Sequence, residues 1–253
     1  INEITDLKDS YSENKITDEQ EKLTCYEAVK ALSSEIPEKS KIVTGSSGLC
    51  IEVFYTHFKN KIGQEIFLTT GLGAMGFGLP ALLGTCASFE SEKVFLYESD
   101  GSLMMNLQEL QTIKTYNYNP TIFVMNNNGY ASIRSTQNNY FDGRLVGTSA
   151  SSGLDIPNLE KIANCFGYNY INIKSKADLQ TKLSDAINTK QLTLCEFNLQ
   201  EDEVLIPKCS VIQTKDNKLI SAPIEDMSPL LKINELKKIM GNQVDPISIE
   251  LRK

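Results

Sequence analysis

Between residues 41 and 197 the chain alternates short, apolar, β-prone runs with longer segments of helical period, and no other feature narrows the fold as far. The strand-like runs are 41–45, 65–68, 93–98, 120–125, 169–173 and 192–197. The helical segments between them are 49–59, 79–87, 103–117, 158–166 and 176–188. Ahead of them, Leu23, Tyr26, Val29, Leu32 and Ile36 share one face of a helix that begins near Thr17-Asp18-Glu19-Gln20 and stops at Pro37. Parallel strands need long crossovers, and helices supply them. The pattern therefore predicts an α/β fold: a doubly wound, mainly parallel sheet with helices on both faces. Residues 1–20 are polar and read as a linker or the end of a preceding domain, 21–200 as the α/β domain, and 201–253 as a C-terminal extension with a helix near 233–240.

In such sheets ligands bind beyond the carboxyl ends of the strands. Two turns fall there. Glu98-Ser99-Asp100-Gly101-Ser102 follows one strand, and Asn126-Asn127-Asn128-Gly129-Tyr130 follows the next. If those strands are neighbours, the turns lie side by side. Asp100 then offers a carboxylate oxygen, Asn127 an amide oxygen and Gly129 a carbonyl, which suits a hard cation such as Mg²⁺ held against phosphates. Gly101 permits close approach, and Ser102 opens a helix whose amides suit an anion. The alternative is ordinary turn chemistry, with Asp100 or Ser102 as a helix cap.

Bulk properties exclude some functions. A net charge of −7 argues against non-specific nucleic-acid binding, and no apolar run is long enough to span a bilayer. The six cysteines lack the close pairs of a zinc site, and as free thiols they suit a reducing, cytoplasmic setting. The single histidine, His57, lies in an aromatic segment and reads as structural. Gly71, Gly73 and Gly76 spell Gly-x-Gly-x-x-Gly, and Glu98 lies about 22 residues on, so a dinucleotide-binding alternative stands on that spacing.

The stretch from Glu98 to Tyr130 resembles the cofactor motif of thiamine diphosphate enzymes, which begins Gly-Asp-Gly-Ser and ends Asn-Asn. The acetolactate synthase, pyruvate oxidase and benzoylformate decarboxylase family is the nearest in kind. Gly71-Leu72-Gly73-Ala74-Met75-Gly76-Phe77-Gly78-Leu79-Pro80-Ala81 and Ser102-Leu103-Met104-Met105-Asn106-Leu107-Gln108-Glu109-Leu110 are similar to acetolactate synthase segments. The resemblance covers about residues 20–200 and implies that family's diphosphate-binding domain. It implies thiamine diphosphate and Mg²⁺ as cofactors, with Asp100, Asn127 and the Gly129 carbonyl on the metal. Gly101, Ser102 and Tyr130 would then lie at the cofactor, with Ser47, Gly48, Leu49 and Cys50 at the far side of the diphosphate. Gly73 and Met75 would flank its centre, Met75 as the apolar wedge that bends it; core packing is the alternative for Met75. FAD binding is left open, because the family's flavin site lies in a domain outside this stretch.

The sequence departs from the family in places. Ser99 replaces a glycine, and Leu49 and Cys50 stand where acetolactate synthases tend to have Gln and His. Thr136 aligns with a tryptophan that helps to choose the acceptor, and this chain has no Trp. Residues 132–141 and 221–229 resemble acetolactate synthase-like proteins of surface-polysaccharide biosynthesis, which implies a different acceptor, such as a nucleotide-linked ketosugar. Arg134 is either a carboxylate or phosphate contact there or a solvated surface arginine.

The function expected is decarboxylation of a 2-oxo acid, pyruvate above all, with transfer of the acyl unit to a carbonyl acceptor. A non-oxidative decarboxylase and a catalytically silent domain are the rivals. The family's activating glutamate sits on a pyrimidine-binding domain. That domain is expected in the same longer chain, as the opening Ile1 suggests, or in a partner subunit, within a homodimer or homotetramer.

Overall fold

The computed structural model describes residues 22–45, 48–69, 71–89, 92–209, 211–213, 219–250 and 252. The expected linker and the helix start at Thr17–Gln20 lie outside them. The chain divides into a larger unit ending at Glu203 and a smaller one from Val204.

In the larger unit α1 (Cys25–Glu35) leads to β1 (Lys41–Thr44), α2 (Leu49–His57), β2 (Glu65–Phe67) and α3 (Gly78–Ser88). β3 (Val94–Ser99) is followed by one helical turn, α4 (Asp100–Leu103), a 3₁₀ turn at Met104–Asn106 and α5 (Glu109–Thr115). β4 (Thr121–Asn126), α6 (Ala131–Tyr140), α7 (Leu159–Phe166), β5 (Asn169–Ile173), α8 (Lys176–Asn188) and β6 (Thr193–Asn198) complete it. The six strands form one sheet in the order β2-β1-β3-β4-β6-β5, and every pairing is parallel. All six strands expected from the sequence are present, and the sheet is the doubly wound α/β arrangement.

The strands bury both faces, so they read as continuous apolar runs. Val43, Leu96, Ile122, Val124 and Leu194 pack on one side with residues of α3, α5 and α7. The opposite side carries an aromatic row: Phe95 stacks on Phe123 at 5.9 Å, Phe123 meets Phe197 edge-on, and Tyr97 packs on Phe54 of α2. α1 starts at Thr24, whose side chain and Glu27 form a reciprocal capping box. That Thr-x-x-Glu signal was legible in the sequence and places the start after Thr17–Gln20.

One expected element is corrected. Residues 103–117 read as a single amphipathic helix, yet the backbone breaks between α4 and α5. The tertiary contact that competes is the glycine-rich loop. Asn106 Nδ2 donates to the Gly76 carbonyl at 2.8 Å, and a Cβ on Gly76 would come within 2.7 Å of Met105. The core face of the period survives, with Leu110 and Ile113 fully buried. α6 was not anticipated, because it carries few apolar residues and its buried positions are Ala131 and Arg134 rather than an apolar stripe.

The smaller unit holds the hairpin β7 (Val211–Gln213) and β8 (Leu219–Ser221), then α9 (Ile233–Met240) and α10 (Pro246–Glu250). α9 matches the expected helix; the hairpin was not read from the sequence. Arg252 and Asp226 form a bidentate ion pair with both contacts at 2.6 Å, which holds the Asp226 carboxyl below its ordinary value. No helix among the described residues is long and apolar enough to cross a membrane.

Candidate cofactor and metal site

β3 and β4 are adjacent and parallel, with Ser99 opposite Met125. Their carboxyl ends therefore deliver Asp100 and Asn127 to the same edge of the sheet. Asp100 is 1% exposed and Asn127 4%. Asp100 Oδ1 accepts the Gly101 N–H at 2.7 Å, and Oδ2 accepts the Gly129 N–H at 2.9 Å. The carboxylate thus stitches the first turn to the second. Gly129 can take this place because it adopts φ +123°, and a Cβ there would lie 2.4 Å from the Thr148 carbonyl. Its own carbonyl accepts the Ala131 N–H at 3.2 Å, which leaves one lone pair.

Three asparagines run in sequence, and only one faces the site. Asn126 Nδ2 donates to Glu196 at 2.6 Å, and Asn128 Nδ2 donates to Glu201 at 2.7 Å. Asn127 turns inward, where its Nδ2 donates to Cys50 Sγ at 3.6 Å and its Oδ1 is buried without a partner. A buried, unpartnered amide oxygen costs free energy unless something fills its lone pairs. Next to a buried carboxylate, it is what a hard oxygen-seeking cation would complete. The donor set of one carboxylate, one amide oxygen and one carbonyl fits Mg²⁺, which takes its remaining ligands from phosphates and water.

The other expected residues sit around this pair. Ser102 is 1% exposed and its Oγ accepts the Gly76 N–H at 2.9 Å, so it ties the glycine-rich loop to the Asp100 turn. Gly101 is covered by Tyr130: a Cβ there would lie 2.3 Å from the Tyr130 ring. Its room is used first by that ring. Gly48 takes φ +95° and supplies no side-chain cap to α2, while Leu49 and Cys50 are buried in the first turn. Ser47 lies outside the described residues. Gly73 takes φ +60°, and Met75 projects from the same loop, 37% exposed. That exposure disfavours core packing for Met75. Thr136 is exposed and bonds only its own helix, at the Ser132 carbonyl. His57 lies at the other end of α2, edge-on to Tyr26.

Arg134 is not the solvated surface arginine that was one of its two expected roles. It is 4% exposed, and its guanidinium donates to the main-chain carbonyls of Asn127 (2.9 Å), Thr148 (3.0 Å), Asn128 (3.3 Å) and Glu201. It clamps the asparagine turn from behind, and its charge favours an ionised Asp100. The sequence carried no signal for this role.

Burial pushes three carboxyls up: Asp100 to about 6, Glu98 to about 7 and Glu203, which accepts the Cys25 N–H at 2.7 Å, to about 7. Between ordinary carboxylate values and these, the native state binds more protons than the unfolded state. Stability of the metal-free protein therefore falls as pH rises from about 4 to about 7. Glu203→Gln keeps the shape and removes its share, so the melting temperature in EDTA should vary less steeply with pH. An unchanged slope would show that Glu203 titrates normally.

The family model described as thiamine pyrophosphate enzyme, C-terminal TPP binding domain, matches residues 46–197. The chain is 34% identical over 140 residues to the acetolactate synthase large subunit of Buchnera aphidicola subsp. Schlechtendalia chinensis, covering 54% of this chain and 24% of that protein. It is 32% identical over 137 residues to acetolactate synthase isozyme 1 large subunit of Escherichia coli (strain K12), with coverage of 54% and 24%. The chain thus spans about a quarter of the length of these relatives. The Rhodococcus jostii RHA1 thiamine diphosphate-dependent 4-hydroxybenzoylformate decarboxylase has a similar fold, with a TM-score of 0.64 and 20% identity over 76% of this chain and 35% of that one.

Proposed function

The chain belongs to the thiamine pyrophosphate enzymes through their C-terminal TPP-binding domain, and from that premise we propose that it is the diphosphate-holding part of an acetolactate synthase-like carboligase. Its substrate is a 2-oxo acid, pyruvate above all, whose acyl unit passes to a carbonyl acceptor. The observation that carries the reading is the unpartnered Asn127 Oδ1 beside the buried Asp100 carboxylate, on two adjacent strand ends.

In this reading Asp100, Asn127 and the Gly129 carbonyl hold Mg²⁺. Gly101 and Ser102 lie on the near side of the diphosphate, Ser47, Gly48, Leu49 and Cys50 on the far side, and Tyr130 covers Gly101. Gly73 lets the loop turn, and Met75 stands out from it as an apolar support for the cofactor's centre. Bound thiamine diphosphate supplies an electron sink for the pair released when a 2-oxo acid loses CO₂. The chain's own residues would bind and orient it: Asp100, Asn127 and the Gly129 carbonyl would hold a cation against the phosphates, and the buried turns would keep water from them. The glutamate that activates the cofactor is assigned to a pyrimidine-binding domain elsewhere in the protein or on a partner subunit. A cytoplasmic homodimer or homotetramer is the assembly proposed. The ketosugar acceptor suggested by residues 132–141 is an outcome to test.

Product analysis with pyruvate, alone and with 2-oxobutyrate or a nucleotide-linked ketosugar, tests the proposal in the complete protein. A ligated product that disappears in EDTA and returns with Mg²⁺ is expected. Acetaldehyde as the main product in every mixture would make it a simple decarboxylase, and no pyruvate consumption under any condition would favour a silent domain.

A further inference from the structure

Glu98 is fully buried at the end of β3, where a carboxylate is costly. Its Oε1 accepts the Ser99 N–H at 2.9 Å, and its Oε2 makes no hydrogen bond of ordinary geometry. Two glycines from different elements face it. A Cβ on Gly45, just past β1, would lie 2.1 Å from Oε1, and the three nearest atoms would all belong to this carboxylate. A Cβ on Gly78, the first residue of α3, would lie 2.1 Å from Oε2. Neither glycine has a positive φ, so neither is needed for backbone conformation. What both lack is the atom that would collide with Glu98.

Gly45 directly follows β1, and its N–H extends the sheet ladder to the Tyr97 carbonyl at 2.7 Å. Gly78 ends the glycine-rich loop. Glu98 therefore stands between the chain that leads to Gly48–Cys50, placed by the proposed function at the far side of the diphosphate, and the loop that carries Met75 to the cofactor's centre.

We propose that Glu98 is a positioning residue, a buried strut seated in the space left by Gly45 and Gly78, which sets the separation between the end of β1 and the glycine-rich loop. Its consequence for cofactor binding rests on the function proposed above; the strut itself does not. If the glycines serve only the strut, shortening Glu98 relieves an alanine at either position. If they serve close approach of a ligand, it does not.

The test is a double-mutant cycle in the complete protein, read first without cofactor. Gly45→Ala should melt several degrees below the parent in EDTA, and Gly45→Ala/Glu98→Ala should melt above Gly45→Ala. Gly78→Ala with Glu98→Ala should behave alike. Thiamine diphosphate titrated calorimetrically with Mg²⁺ should bind at least about tenfold more weakly to Glu98→Ala and within about threefold of the parent to Glu98→Gln, which keeps the volume. Should Gly45→Ala yield no folded protein, recovery of fold in the double variant is the same supporting result. Double variants no more stable than the glycine singles in both pairs would overturn the strut. Failure of the parent to bind thiamine diphosphate would overturn the function instead and leave the cofactor-free cycle to decide the strut.

Discussion

Asp100→Ala should lose the proposed magnesium-dependent binding of thiamine diphosphate, by a factor of about 100 or more. The carboxylate is the one ionised oxygen among the three ligands proposed from the chain itself, and it is 1% exposed. Removing one partner of a buried charged contact costs about 3–5 kcal/mol, and each 1.4 kcal/mol is tenfold in affinity. The variant also leaves the Gly101 and Gly129 N–H groups without their acceptor, so the two turns lose their tie. Asp100→Asn separates these effects. It keeps an acceptor and the volume of the side chain, so the fold should hold while metal-dependent binding is lost. Calorimetric titration with and without Mg²⁺, with melting of both variants, checks the pair. Unchanged affinity and unchanged Mg²⁺ dependence in Asp100→Ala would remove the metal site from this turn.

Arg134→Met should strongly destabilise the larger unit. Its guanidinium serves four main-chain carbonyls, from Asn127, Asn128, Thr148 and Glu201, and methionine serves none. Each buried acceptor left unsatisfied costs about 1–3 kcal/mol, less at Thr148, whose carbonyl keeps the Tyr130 N–H, and where water can enter. A loss of about 4 kcal/mol is expected, a fall of about 8–16 °C in the melting temperature of a unit of this size. Arg134→Lys should lie between, since one ammonium cannot span four carbonyls held by a planar fork. Cofactor affinity should fall with stability, because Asn127 loses its anchor. Kinetics and melting together decide the role. A raised KM at an unchanged melting temperature would make Arg134 a substrate contact, and no change in either would make it a surface residue.

The candidate site was legible to an uneven degree. Asp100 and Asn127 could be named from two turns after two strand-like runs, and the sheet pairs those strands. The break between α4 and α5 was not legible, because the helical period of residues 103–117 is intact and the interruption comes from Gly76 and Asn106 meeting across the fold. Gly101 reads in sequence as room for a ligand; in the structure that room holds the Tyr130 ring.

Alternation of apolar runs and helical segments by itself determined the parallel, doubly wound sheet and the edge on which its ligand turns lie. Periodicity is a local property, written in the residues that display it, and right-handed crossovers leave few ways to join them. What turns Asn127 inward among three consecutive asparagines, which arginine is a clamp and which glycines make room for Glu98 were decided only by tertiary structure. Asn127 is selected by Cys50, 77 positions away, and Arg134 by Glu201, 67 positions away. Such choices depend on where distant backbone arrives after packing, and no spacing within the chain encodes that distance.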